Sequence, residues 1–162
     1  MIILGVDPGY ATIGYGVVEK QGSRVAASDY GVITTPQNES IAYRLAMIYD
    51  AMNKIIEKFS PDEIAVEELF FNTNITTGIK VAEARGVILL SAVRACGRLY
   101  EYTPLMIKQS LTGNGRADKH QVQYMVQMML GLKSIPRPDD AADALAAALC
   151  HANMCGFNQR II

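Results

Sequence analysis

The chain has 162 residues, half of them hydrophobic, which suits one domain with a single core. No run approaches the roughly 20 apolar residues of a membrane span, and three cysteines without CxxC spacing indicate neither a disulfide framework nor a zinc ribbon. The formal net charge of −1 gives no sign of DNA binding over the chain as a whole.

Three β-rich segments open the chain. Residues 2–7 are a short apolar run that Pro8-Gly9 ends, and residues 13–19 and 25–35 are also rich in β-forming side chains. Only short turns separate the three segments. The sequence therefore predicts an antiparallel β-meander.

Helices and two further strands follow. Ser40 opens a segment with apolar residues at helical spacing, which ends at Ser60-Pro61. Residues 64–67 and 99–103 are predicted strands, and a helix of about residues 80–95 lies between them. That helix has few polar faces, so it must be covered by the core or by a second subunit.

Three helices complete the chain. Pro104 can begin a short helix, and Asp118 with Gln121 three residues later predicts a capped start for the next one. The last helix is rich in alanine and runs from Asp139 to about Met154. This order predicts an α/β fold with a central five-stranded mixed sheet flanked by helices. We expect one domain over residues 1–156, a flexible tail over 157–162 and, without a leader sequence, a cytoplasmic protein.

Acidic residues stand where two predicted strands end and again on the last helix. Asp7 ends the first strand and Glu67 ends the fourth. Asp140 and Asp143 are three residues apart, on one face of the helix, while Asp139 is the competing ligand. Each acid alone has an ordinary explanation, as part of a turn or as a partner of the helix dipole.

Gathered carboxylates repel each other unless protons or a cation neutralise them. Ligand sets made only of oxygen select hard ions, so we expect Mg²⁺, with Mn²⁺ as a substitute. Two such ions per active site can activate a water and stabilise the leaving oxygen in phosphodiester cleavage.

The charges divide unevenly along the chain. Residues 69–138 carry 9 Lys and Arg against 3 Asp and Glu, whereas residues 1–68 carry 5 against 10. A charge imbalance alone is ordinary for a solvated surface. Beside a group of acids, however, a basic middle indicates phosphate binding.

The motifs, taken in order, resemble the RuvC family of junction endonucleases over essentially the whole chain. They are Gly-Val-Asp7-Pro-Gly, Ala-Val-Glu67-Glu-Leu-Phe70, Lys108-Gln, Asp118-Lys119-His-Gln-Val-Gln and Asp140-Ala-Ala-Asp143. The resemblance implies an RNase H-like fold. It implies that four acids are catalytic and hold the metal ions: Asp7, Glu67, Asp140 and Asp143. Lys108 and Lys119 would lie beside the scissile phosphate. Some relatives use histidine at the position of Asp140, so Asp139 stays an alternative.

The same resemblance implies a Mg²⁺-dependent endodeoxyribonuclease that resolves four-way (Holliday) DNA junctions in recombination and repair, with RuvA and RuvB as partners. Two-fold DNA requires two-fold protein, so we expect a homodimer. The candidate interface is the helix of residues 80–95, with the small residues Gly78, Ala82, Gly86 and Ala92.

Two further residues are expected to contact DNA. Phe70 follows Glu67 in a polar segment and can stack on an unpaired base, although read alone it is an ordinary core residue. Arg116 lies in a glycine-bearing loop, where the chain can approach the DNA backbone closely.

Three other readings stay open. A YqgF-like nuclease of the same fold would act on RNA. An ATP-binding fold of the actin and sugar-kinase group shares the pattern of Asp7 with Gly9, Gly14 and Gly16 but needs a longer chain. A junction-binding protein without catalysis would not need the intact acids.

Overall fold

The computed structural model describes residues 1–68 and 75–155, so Phe70 and the predicted tail of residues 157–162 lie outside the described residues. The strands are β1 (Ile2–Asp7), β2 (Thr12–Gln21), β3 (Arg24–Thr34), β4 (Glu63–Glu67) and β5 (Leu99–Tyr102). The helices are α1 (Ile41–Phe59), α2 (Ile75–Ala95), α3 (Pro104–Thr112), α4 (Lys119–Leu130) and α5 (Asp139–Met154). In the described part of the chain, no helix is both long and apolar enough to cross a membrane.

The five strands form one sheet in the order β3-β2-β1-β4-β5. The first three strands pair antiparallel, whereas β4 runs parallel to both β1 and β5. The predicted α/β fold with a five-stranded mixed sheet is therefore confirmed. Val6 is paired with Val66, so β1 and β4 end side by side in the middle of the sheet.

The two faces of the sheet bury different helices because side chains alternate along a strand. Leu4 and Val6 belong to the core cluster shared with α1 and α2. Ile3 belongs to the cluster on the opposite face, with Ala65 and the apolar residues of α5. The odd-numbered residues of β1 and β4, Asp7 and Glu67 among them, therefore face α5.

Glycines in the sheet allow α5 to approach closely. A Cβ at Gly5 would overlap the Ala144 carbonyl oxygen, and a Cβ at Gly14 would overlap that of Asp140. The alanines of α5 have small side chains on the other side of the contact and are all buried. The helix backbone therefore lies directly on the sheet.

Helix α2 begins at Ile75, earlier than the predicted start near residue 80. It packs through Ala84, Ile88 and Ala92, and none of the described residues covers one of its apolar faces. The expected interface needs a correction here, because Gly78 and Ala92 are buried within the protomer. Ala82 and Gly86 are exposed.

Candidate active site

Two acids lie next to each other at the ends of neighbouring strands. Because Val6 pairs with Val66, the next residues, Asp7 and Glu67, follow on adjacent parallel strands and face the same helix. Glu67 also pairs with Tyr102 of β5, so it lies inside the sheet rather than at its rim. Both carboxyl groups are partly shielded from solvent.

The first turn of α5 adds two further acids. Asp7 pairs with Gly14 across β1 and β2, and the backbone of Asp140 lies directly against Gly14. Asp140 is thereby held beside Asp7, and Asp143 follows three residues later on the same helix face. The structure thus brings together all four acids predicted from the sequence.

Burial and mutual repulsion shift the protonation of these acids. Burial raises the pKa of Asp7 to about 8, and the charges of Glu67, Asp143 and Asp140 add to the shift. Burial also raises the pKa of Glu67 to about 7, with a further contribution from Asp143. The pKa of Asp143 is raised in turn, again chiefly by burial. The carboxylates therefore lack enough positive charge around them.

Lys119 is the basic residue nearest to these acids in the described structure. Its Nζ donates to Asp143 Oδ2 at 2.9 Å and lies 3.4 Å from Asp139 Oδ2. The other oxygen of Asp139 accepts from Arg137. The carboxylate of Asp139 is therefore paired with two basic side chains. The sequence alone gives no sign of these ion pairs.

A cleft of about 270 Å³ opens beside the acids. Glu67 and Asp143 line it together with Lys108 and Lys119. Apolar side chains form the remainder of its wall: Pro104, Ile107, Val122 and Ala146. Arg116 is exposed in the loop between α3 and α4, outside the cleft.

The turn after Asp7 is held by residues that sequence reasoning missed. Arg44 on α1 is buried, and its guanidinium lies 4.4 Å from the centre of the Tyr10 ring. It donates to Thr35 Oγ1 at 2.8 Å and to the Tyr10 carbonyl at 3.2 Å. Thr35 donates to the same carbonyl. The sequence signal that could have identified Arg44 is its position among the apolar residues of the predicted helix.

The arrangement fits a hard divalent cation. Four carboxylates supply only oxygen atoms, the ligand type that Mg²⁺ and Mn²⁺ prefer. Burial and the neighbouring carboxylates raise the pKa values of Asp7 and Glu67, and bound cations would offset both effects.

The chain matches the family model of the crossover junction endodeoxyribonuclease RuvC over residues 3–151. RuvC of Rubrobacter xylanophilus is 56% identical over 151 residues, which cover 93% of this chain and 84% of that protein. RuvC of Alkaliphilus oremlandii is 50% identical over 159 residues, 98% of this chain and 97% of that protein.

Solved structures agree with this match. The structure of T. thermophilus RuvC in complex with a Holliday junction substrate is similar with a TM-score of 0.90 and 34% identity, and the match covers 100% of both chains. The fold alone is shared with a yeast mitochondrial Holliday junction resolvase, at a TM-score of 0.70 and 14% identity over 93% of this chain and 78% of that one. The chain therefore has the RNase H-like fold and belongs to the RuvC family of crossover junction endodeoxyribonucleases.

Proposed function

We propose that this protein resolves four-way (Holliday) DNA junctions by hydrolysing one phosphodiester in each of two symmetric strands. One observation carries the proposal: four carboxylates and two lysines converge at one end of the sheet, in a chain of the RuvC family. The reaction would serve homologous recombination and DNA repair.

The family depends on divalent metal ions, and we assign them here to Asp7, Glu67, Asp140 and Asp143. We propose two Mg²⁺ ions per active site, with Mn²⁺ able to substitute, because the ligands are all carboxylates. When bound, such ions supply electrostatic stabilisation of the charge that develops on the phosphodiester oxygens.

Two lysines are assigned to the phosphate. Lys108 and Lys119 line the cleft together with Glu67 and Asp143. Fixed positive charges in a cleft stabilise negative charge that develops in a transition state. We therefore place the scissile phosphate between the lysines and the acids.

Arg116 and Phe70 are proposed to contact DNA away from the reacting phosphate. Arg116 is exposed in the α3–α4 loop within the basic middle of the chain. Its role would be to bind a backbone phosphate, and it should therefore contribute to a steep salt dependence of junction affinity. Phe70 would stack on a base that is unpaired near the crossover.

A homodimer would match the two-fold symmetry of the junction. The uncovered face of α2 supports it, because Ile79, Leu90 and Val93 are 57%, 52% and 50% exposed. Ala82 and Gly86 lie on the same face at spacings of three and four residues. We propose this face, without Gly78 and Ala92, as the interface.

Family membership also motivates three proposals on context. Residues 1–156 would form one catalytic domain. RuvA and RuvB, the branch-migration proteins, would deliver the junction. Junction resolution would take place in the bacterial cytoplasm, where the chromosome is located.

A cleavage assay tests the proposed function. A mobile, end-labelled four-way junction should be cut into two linear duplexes, each with one nick, when Mg²⁺ is present and should stay intact in EDTA. Asp7→Asn, Glu67→Gln and Asp143→Asn should each abolish cutting while they keep junction affinity, since neutral amides cannot balance divalent ions.

A structured RNA supplied in the same reaction distinguishes the RNA nuclease of the same fold. Preferential cleavage of that RNA would contradict the junction assignment. Wild-type cleavage by any of the three variants would contradict the assignment of the acids.

A further inference from the structure

A second group of potential metal ligands lies at the other end of the same strand and helix that carry the catalytic acids. Glu63 begins β4, whereas Glu67 ends it, so the two are about 13 Å apart along the strand. His151 lies in the last turn of α5, two turns beyond Asp143. The group is therefore separate from the active site.

Three different ligand types meet in this group. His151 Nε2 lies 2.6 Å from Glu63 Oε2, and Cys155 Sγ lies 3.9 Å from the same oxygen. One ligand atom from each residue lies within 4.8 Å of the others. His151 and Cys155 are four residues apart, and the Cys155 amide donates to the His151 carbonyl at 2.9 Å, which holds both residues on one helix face.

These distances are close to those of a tetrahedral zinc site. Zinc bonds of about 2.0 Å to nitrogen or oxygen and 2.3 Å to sulfur imply separations of roughly 3.3 to 3.6 Å between ligand atoms. The histidine and glutamate would separate by less than about 1 Å to admit the ion, and the thiolate would move slightly inwards. Three protein ligands leave one position for water.

The histidine is already oriented by a second contact. The Tyr102 hydroxyl lies 2.6 Å from His151 Nδ1, and the Tyr100 ring lies 4.4 Å from the imidazole. The imidazole itself is fully buried. Residues that hold the far nitrogen of a ligating histidine are typical of zinc sites, because they fix the orientation of the ring.

Two basic residues border the group. Arg98 lies 3.9 Å from the second oxygen of Glu63, and Lys20 donates to the Ala152 carbonyl. Their charges oppose a cation. The glutamate and a thiolate together carry two negative charges, which balance a divalent ion on their own.

We propose that Glu63, His151 and Cys155 bind one Zn²⁺ ion that ties the end of α5 to the start of β4. The thiol of Cys155 would lose its proton to solvent as the Zn–S bond forms. Thiolate and imidazole ligands select Zn²⁺ over Mg²⁺, so this ion would be distinct from those of the active site.

Cobalt titration of the full-length, reduced and chelator-treated protein tests the proposal. One equivalent of Co²⁺ should produce a thiolate-to-cobalt charge-transfer band, which the sulfur-free catalytic acids cannot produce. Zn²⁺ should remove the band, and excess Mg²⁺ should leave it. Tyr102→Phe should weaken Zn²⁺ affinity by about tenfold or more through loss of the contact to His151.

Matched variants separate this site from the others. Cys155→Ser should lose the band, whereas Cys96→Ser and the double variant Asp7→Asn/Asp143→Asn should keep it. In the Asp7→Asn/Asp143→Asn background, which removes the competing catalytic ion site, Zn²⁺ should raise the melting temperature of the protein that keeps Cys155 and of its Cys96→Ser variant, but not that of its Cys155→Ser variant. Absence of the band in the wild type, its persistence in Cys155→Ser, or its loss in excess Mg²⁺ would overturn the proposal.

Discussion

Asp139 and Asp140 are neighbours in the chain, yet their surroundings differ. Asp139 is paired with Lys119 and Arg137. Asp140 lies against Gly14, beside Asp7, and its charge contributes to the raised pKa values of both Asp7 and Asp143. We therefore propose Asp140 as the ligand and Asp139 as a residue that holds Lys119 in place.

Amide substitutions distinguish the two roles. Asp140→Asn should reduce junction cleavage about 100-fold or more, because a metal ion that stabilises transition-state charge would be held less well. Asp139→Asn should reduce it by no more than about tenfold, because Lys119 keeps its 2.9 Å contact to Asp143. Single-turnover rates on the four-way junction measure both. The opposite ranking would show that Asp139 is the ligand.

Asp7 should make the stability of the metal-free protein depend on pH. Its folded-state pKa of about 8 lies above the ordinary value of 3.8, so the folded protein binds this proton more tightly than the unfolded chain does. The resulting stabilisation is fully present below about pH 4 and is lost as the pH rises through about 8.

Asp7→Asn should not lose stability as the pH rises in this way, because the asparagine amide does not ionise. In EDTA, its melting temperature should therefore exceed that of the wild type by a margin that grows from about pH 5 to about pH 8, where each kcal/mol corresponds to roughly 2 to 4 °C. Saturating Mg²⁺ should reduce the margin by stabilising the wild type. A margin that stays constant with pH would contradict the raised pKa.

A substitution tests the proposed role of Phe70 in DNA binding. Phe70→Ala should slow junction cleavage, because stacking of an aromatic ring on a base contributes about 1 to 3 kcal/mol. The melting temperature of the free protein should change little. A buried phenylalanine would instead cost about 3 to 5 kcal/mol of stability. Phe71→Ala is the matched control. A large fall in the melting temperature of Phe70→Ala, but not of Phe71→Ala, would assign core packing to Phe70 and base stacking to Phe71.

At the scale of elements, the contact between α5 and the sheet positions the helical acids. The contact depends on Gly5 and Gly14, where any side chain would meet helix backbone rather than a movable side chain. The distance between the acids on α5 and those at the strand ends is therefore set by the size of these residues. Stability and catalysis depend on the same packing.

Gly14→Ala tests this dependence. The added methyl group would push α5 away from Asp7 and should cost at least about 3 kcal/mol, the upper end for overpacking, or roughly 6 to 12 °C in melting temperature. Cleavage should fall with it. Gly31→Ala is the control, because its Cβ would meet the Tyr15 ring at 3.0 Å, and a ring can move. Equal melting temperatures for Gly14→Ala and the wild type would contradict the close contact.

At the scale of the whole molecule, the uncovered face of α2 determines the expected oligomeric state. Leu90→Asp should yield a monomer in light scattering at micromolar concentration, because a buried, unpaired charge opposes association. Paired cutting of symmetric strands should be lost. Met128→Asp is the control, since Met128 is 58% exposed on α4, away from this face. A dimer that persists in Leu90→Asp would place the interface elsewhere.

The order of the elements and the strand-end acids were predictable from the sequence. Strand alternation, helical spacing and caps such as the Asp118–Gln121 capping box are local properties, and they place Asp7 and Glu67 at strand ends without knowledge of the fold. The order of the motifs along the chain then indicated the RuvC family. The uncovered apolar face of α2 was only partly predictable, because helical spacing does not tell which side a neighbouring helix covers.

Only the tertiary structure decided which side chains meet across long stretches of chain. It placed Asp140 rather than Asp139 beside Asp7, because Gly14 lies in a strand that comes 126 residues earlier and admits the helix backbone there. It likewise joined Glu63 to His151, 88 residues apart, at the far end of the same helix. Such contacts depend on the register of the strands and on how closely a helix can approach them. Neither quantity is encoded in any local pattern of residues.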